Sequence, residues 1–226
     1  MTDSPPPDRA PAADPTGTIG SLLQVAGIPL EHDAATLAEA HALGEGAAAT
    51  LDDAALTDLR GLAFVTVDND GSRDLDQALH VQADSEGWRV RYALADAAHY
   101  VRPGSALWAG ALLRGASLYA PDRAIAMLPE SLSEGLVSLL PGEERRALVF
   151  DMQVGTAGRV ARCEVYRARV RSRLQLTYEG VQGVVDGMLT LEGARSTQPH
   201  ARREPIDAPL CDATLSSLRA LRDVGE

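Results

Sequence analysis

The chain has 226 residues, 45% of them apolar, and a formal net charge of −11. That is enough for one sizeable core, and too acidic for a nucleic-acid partner to be read from total charge. No apolar run reaches membrane-spanning length, and the start MTDSPPPDRAP has no hydrophobic signal region, so no membrane partner is expected.

In chain order, residues 1–18 carry five prolines and few apolar side chains, which predicts a disordered tail. An acidic helical leader is expected over 19–60, where, counted from residue 1, ten Asp and Glu face two Arg. Within it Asp33 caps a helix through Leu43, with Leu37, Ala40 and Leu43 on one side and Gly44 as the stop. A second short helix or turn is expected over 52–59.

The remainder, 61–226, predicts one α/β (mixed α+β) domain. Strands are expected over 62–67, 76–82 and 88–95; in the last, Trp88, Val90, Tyr92 and Leu94 alternate with Arg89, Arg91, Ala93 and Ala95. Ser105 caps a helix over 106–115. Short extended pieces at 117–119 and 124–128 precede a helix over 129–140. Strands over 147–154 and 159–171 form a hairpin around Gly155 and Gly158. Thr177 caps a helix over 178–185, and a final helix over 213–222 runs almost to the last residue. A self-contained domain closes its sheet and buries its last helix, so this pattern reads as part of a fold.

Three compositional features bear on chemistry. Between 141 and 175, eight Arg face four Asp and Glu, which marks either a phosphate path along 159–173 or a solvated sheet face. The sequence contains no lysine, which removes P-loop and lysine-base chemistry. Cys163 and Cys211 lie far apart in no metal or redox spacing, and read as free thiols of a cytoplasmic protein with no disulfide partner.

The most informative stretch is VTVDNDGSRDLDQAL, which puts Asp68, Asp70, Asp74 and Asp76 within nine residues. Mutual repulsion makes such a cluster costly without a counter-ion. If 74–76 is extended, the period of two puts Asp74 and Asp76 on one face and Leu75 on the other, as hard-cation ligands require. A calcium EF-hand is excluded, because loop positions six and twelve from Asp68 hold Arg73 and Leu79 rather than Gly and Glu. Spacing alone leaves a cation site and a solvated acidic turn bent at Gly71 both open. No GxSxG element occurs, and His99 reads as a packed structural residue. With only nine aromatic residues besides histidine, Tyr119 and Tyr178 are either core residues or, beside loops, base-stacking candidates.

Four segments together carry a family resemblance: LRGLAFVTVDNDGSRDLDQAL, YALADAAHYVRPGSAL, RGASLYAPDRAIAMLPESLSEGLVSLLPGEERRALVF and YRARVRSRLQLTYEGV. Their order and spacing resemble the start of the catalytic (RNB) domain of the ribonuclease II / ribonuclease R family. The resemblance implies the first half of an RNB-type fold, a mostly antiparallel or mixed sheet flanked by helices. It also implies a processive, magnesium-dependent, hydrolytic 3′→5′ exoribonuclease that acts on single-stranded RNA and releases nucleoside 5′-monophosphates. The family's four active-site aspartates fall on Asp68, Asp74, Asp76 and Gln77, so three match, as catalytic residues and Mg2+ ligands, and the fourth is substituted. Tyr119 falls on the family's tyrosine that packs against the terminal nucleotide, and Tyr178 on the one that contributes to RNA-over-DNA selection. The family's later segment, with its catalytic arginine, its S1 domain and its cold-shock domains has no counterpart, which implies a chain truncated at the C-terminus. A catalytically impaired relative that binds RNA or a partner without cleaving is the alternative.

Overall fold

A computed structural model describes residues 17–121, 123–198 and 208–225. The elements begin with helices α1 (Thr18–Val25) and α2 (Ala34–Glu45) and strands β1 (Thr57–Asp58), β2 (Phe64–Asp68), β3 (Gln77–Asp84) and β4 (Gly87–Ala95). Helices α3 (Ala97–Tyr100) and α4 (Ala106–Arg114) lead to strands β5 (Leu118–Tyr119), β6 (Ala124–Ile125), β7 (Glu144–Gly155) and β8 (Val160–Thr177). Helices α5 (Tyr178–Val185) and α6 (Ala208–Gly225) follow. The described residues form two compact units, one within 17–43 and 101–130 and one within 44–100 and 131–225. These units cut across the expected boundary at residue 60, since the leader helices group with the inserted segment 101–130.

In the larger unit β8 joins both ends of the sheet. One edge of this 18-residue strand pairs antiparallel with β7, and the other pairs parallel with β1 and then β2. Since β2 pairs with β3, β3 with β4 and β4 with β7, the hydrogen bonding runs in a ring, β2-β3-β4-β7-β8, with β1 appended. The mixed sheet is as expected; its closure is not visible in the sequence. The facing positions on these strands are small, with Ala78, Ala93, Ala147 and Ala168 packed with Phe64, Val149 and Val170. A ring of five strands leaves little internal room, which alanine suits.

The same alternation carries a polar cluster on β4, β7 and β8. Asp151 accepts from Arg89 Nε (2.7 Å), Arg91 Nε (3.2 Å) and Tyr166 Oη (2.7 Å), and its side chain is only 3% exposed. The predicted alternation on β4 therefore holds, yet Arg91 and Ala93 occupy the more buried side, because Asp151 neutralises the guanidinium there. The other face of β2 and β8 packs Val65, Leu174 and Leu176 against Val184 of α5 and Leu215 of α6. Each buried leucine contributes about 1.5–3 kcal/mol. Arg219 Nε donates to the Val184 carbonyl at 2.6 Å and Arg222 Nη1 to that of Val185 at 3.3 Å, so α6 supplies cations to the last carbonyls of α5.

In the smaller unit Asp33 Oδ1 accepts from the Thr36 amide at 2.7 Å, the expected cap of α2. Thr36 Oγ1 donates to the Ala106 carbonyl and Glu39 Oε2 accepts from the Leu107 amide, so α2 places a carboxylate at the start of α4. Thr36 and Ala40 form the buried side, whereas Leu37 is 49% exposed, which corrects the expected stripe. Gly44 lies inside α2 rather than ending it. Ser105 caps α4 as expected, accepting from Trp108 N at 3.1 Å.

Other corrections concern local period. The expected helix over 129–140 is a single π-type turn, Ser131–Leu136, closed by Val137 N to Leu132 O. The expected helix or turn at 52–59 is a 3-10 turn over Ala47–Asp52 followed by β1. The strands β7 and β8 outrun their predicted ends, and α6 starts at Ala208 rather than Ala213. The predicted tail falls outside the described residues up to residue 16, and Thr18 already begins α1. Among the described residues no helix is long and apolar enough to cross a membrane.

Candidate active site at the acidic turn

Strand β2 delivers Asp68 opposite Thr177, the last residue of its parallel neighbour β8. The next residues of the two strands are therefore the acidic turn and α5, whose first residue is Tyr178. This is the C-terminal edge of the two parallel strands β2 and β8.

Hydrogen bonds divide the four carboxylates of the turn. Asp68 Oδ1 accepts from Asn69 N (2.7 Å) and Ser72 Oγ (2.9 Å), which closes the turn, and Gly71 takes φ +100°. Asp70 turns away and accepts from Ser196 Oγ (2.7 Å), Thr197 Oγ1 (3.1 Å) and Gln198 Nε2 (3.1 Å). The Ser196 hydroxyl foremost holds the Asp70 carboxyl below its usual value, so Asp70 is a structural clasp, not a ligand.

The extended step 74–76 is clamped from one side. Ser138 Oγ donates to the Arg73 carbonyl (2.7 Å) and accepts from Leu75 N (3.0 Å), and Leu139 N donates to the Leu75 carbonyl (2.7 Å). Leu75 is 1% exposed, while Asp74 and Asp76 stand on the surface. The predicted alternation is thus realised. Gln175 Nε2 reaches the Ser72 carbonyl (2.8 Å) and Arg73 pairs with Glu134 (3.0 Å), fixing the loop from two more directions.

Desolvation pushes the Asp76 carboxyl above its usual value, and the charges of Asp74 and Asp68 add to this. Among the described residues no arginine or histidine pairs with Asp68, Asp74 or Asp76. Nor, among these residues, do three acidic, His or Cys side chains form a group able to hold a metal by themselves. The donors are hard oxygens that repel one another, which suits magnesium bound by few carboxylates plus water and phosphate oxygens, and does not suit a closed protein cage.

Gln77, the substituted position, opens β3 and accepts a hydrogen bond from the Tyr92 hydroxyl. Desolvation raises the Tyr92 phenol above its ordinary value, and the charges of Asp76 and Tyr178 act in the same direction. Tyr178 is 54% exposed and lines a shallow, mostly apolar groove with Gln182, Met188 and Leu189. Tyr119 belongs to the smaller unit, where it pairs with Ala124 and is 75% exposed. His99 packs edge-on against Tyr100 at 4.9 Å.

The arginines of β8 divide as well. Arg162, Arg167 and Arg169 pair with Glu164, Asp96 and Asp58. Arg171 and Arg173 line a cleft with Arg60, Asp58 and Glu144. Cys163 is an exposed free thiol, and the side chain of Cys211 lies outside what is described. Sequence reasoning missed Tyr92, Ser138, Gln175 and the 196–198 clasp; of these only Tyr92 had a local signal, a tyrosine one strand away on the face of the acidic turn.

Residues 56–224 match the RNB domain. The chain belongs to the RNB-domain family of ribonucleases II and R. It is 40% identical over 145 residues to ribonuclease R of Vibrio cholerae, covering 63% of this chain and 18% of that one. Its fold is similar to Mycoplasma genitalium RNase R in complex with double-stranded RNA, with TM-score 0.78 and 28% identity over 94% of this chain and 35% of that chain. The same RNase R in complex with ribose-methylated single-stranded RNA gives TM-score 0.75 and 26% identity over 94% and 31%. The chain thus spans less than a fifth of the length of this curated RNB relative. The RNB match includes Asp68, Asp74, Asp76, Gln77, Tyr119 and Tyr178.

Proposed function

We propose that this RNB domain serves a cytoplasmic, magnesium-dependent 3′→5′ exoribonuclease that hydrolyses single-stranded RNA to nucleoside 5′-monophosphates. The observation that carries the reading is the Ser138–Leu139 clamp, which turns Asp74 and Asp76 outward beside the end of β2 and the start of α5. Asp68, Asp74 and Asp76 would hold Mg2+. When bound, that ion supplies an activated water and charge stabilisation at the phosphate. The protein's own part is to hold Asp74 and Asp76 outward on either side of the buried Leu75 and to seat the 3′-terminal nucleotide. Tyr178, with Met188 and Leu189 beside it, offers an apolar surface against which any base can stack. Within the smaller unit the ring of Tyr119 is by itself exposed enough to stack on a base.

A second reading is favoured by Gln77: a domain that binds RNA without cutting it, because the fourth acid of the family is a neutral amide already engaged by Tyr92. Release of 5′-mononucleotides from single-stranded RNA with magnesium separates the two. The nuclease reading expects Asp76→Asn to lower the rate by at least about 100-fold, the loss typical of removing one charge-stabilising group. Binding without magnesium-dependent release supports the second reading, and release that survives Asp76→Asn removes the acidic turn from the chemistry.

A further inference from the structure

The neutral side chain at position 77 is held in one orientation. Across β3 and β4, Gln77 pairs with Leu94 and Leu79 with Tyr92, so Gln77 and Tyr92 are diagonal neighbours on one sheet face. Long side chains reach one another at that spacing. The Tyr92 hydroxyl donates to Gln77 Oε1. In a planar amide, fixing the oxygen also fixes the direction of the two N–H bonds on Nε2. Among the described residues Nε2 has no acceptor, and the side chain is exposed next to Asp76.

An acid at this position would add a fourth negative charge to Asp68, Asp74 and Asp76 and repel an incoming phosphate. An amide with its oxygen engaged presents only donors, which attract that phosphate. We propose that Tyr92 positions Gln77 as a phosphate-binding group, whose amide NH2 donates to a non-bridging oxygen of the terminal nucleotide's phosphate. Gln77 is then a substrate contact rather than a metal ligand, and Tyr92 is a positioning residue that acts through it. The inference rests on the acidic turn being where RNA phosphate is met.

The test uses adenosine 5′-monophosphate with saturating magnesium, and magnesium alone, titrated into the 226-residue chain by calorimetry. Gln77→Glu keeps the length and loses the donor, so it is expected to weaken nucleotide binding about tenfold, the worth of one hydrogen bond to a charged group, while magnesium alone binds at least as tightly. Tyr92→Phe, which keeps the ring in the sheet, is expected to weaken nucleotide binding about threefold to fivefold in the parent chain and not at all in a Gln77→Ala background. Equal or tighter nucleotide binding by Gln77→Glu overturns the inference, as does a Tyr92→Phe effect of the same size in both backgrounds. Nucleotide binding that follows this pattern in a chain that does not hydrolyse RNA overturns the nuclease reading and leaves the phosphate contact standing. Hydrolysis in a chain whose nucleotide binding ignores Gln77 does the reverse.

Discussion

Two carboxylates of the larger unit sit in opposite surroundings. Asp76 is desolvated among like charges, and its carboxyl is pushed up. Asp151 is desolvated too, but hydrogen bonds from Arg89 and Tyr166 and the charges of Arg91 and Arg89 outweigh burial and hold its carboxyl below the usual value. A group depressed by folding stabilises the fold above its unfolded pKa of about 3.9 and loses that contribution as pH falls through its folded value. Asp151→Asn leaves Arg91 buried without its counter-charge, so it is expected to destabilise the protein by about 3 kcal/mol or more at pH 7. The difference from the parent should narrow as pH falls below about 4, where the unfolded chain's carboxyl protonates, and close as pH falls through the lower value of the folded carboxyl. Urea unfolding at both pH values measures it; a gap independent of pH would show that Asp151 acts by packing rather than charge. Nothing near Asp151 in the chain marks it, because its partners sit on β4 and β8. Asp68, Asp70, Asp74 and Asp76, by contrast, were legible as an acidic cluster from their own spacing, and the family resemblance singled out Asp68, Asp74 and Asp76.

At the scale of elements, α5 is placed by close approach. A Cβ on Gly180 would stand 2.5 Å from the Ala194 carbonyl oxygen and 2.8 Å from Thr177 Oγ1, the atom that caps the helix. Gly180→Ala must therefore push α5 off the 192–194 turn, at a cost of about 1–3 kcal/mol. Because Tyr178 opens that helix, nucleotide binding should weaken with it. Gly44, inside α2 with nothing within 4 Å of an added Cβ, predicts the opposite sign. Gly44→Ala should stabilise by about 0.5–1 kcal/mol. Thermal unfolding of the two variants checks both signs. Caps were readable where the donor and acceptor are close in sequence, as at Asp33, Ser105 and Thr177. The segment 129–140 misled because its apolar spacing suits a helix, yet Leu139 packs with the alanines of the ring and its amide is spent on the Leu75 carbonyl.

For the whole molecule, stability should be uneven. The ring of strands in the larger unit is packed on both faces, whereas β5 and β6 form a sheet of two two-residue strands. Backbone amides of β2, β3, β4 and β7 are expected to exchange with solvent most slowly, and those of β5 and β6 at least about tenfold faster. Uniform exchange across both units in a native-state hydrogen-exchange experiment would contradict this. Ring closure also accounts for the length of β8: one strand must serve β7 with one edge and β2 with the other, so it outruns any local strand signal.

By itself the sequence determined what depends on neighbours along the chain: the strand and cap positions, the outward pairing of Asp74 and Asp76, and the four segments that place the chain in the RNB family. Only the tertiary structure decided how the side chains of the acidic turn are engaged. Asp70 is claimed by residues more than 120 positions away, Leu75 is clamped by Ser138, and Gln77 is oriented by Tyr92. Periodicity and turn chemistry are short-range and readable in a single chain. Partners across a closed sheet are fixed by register, which the sequence does not display.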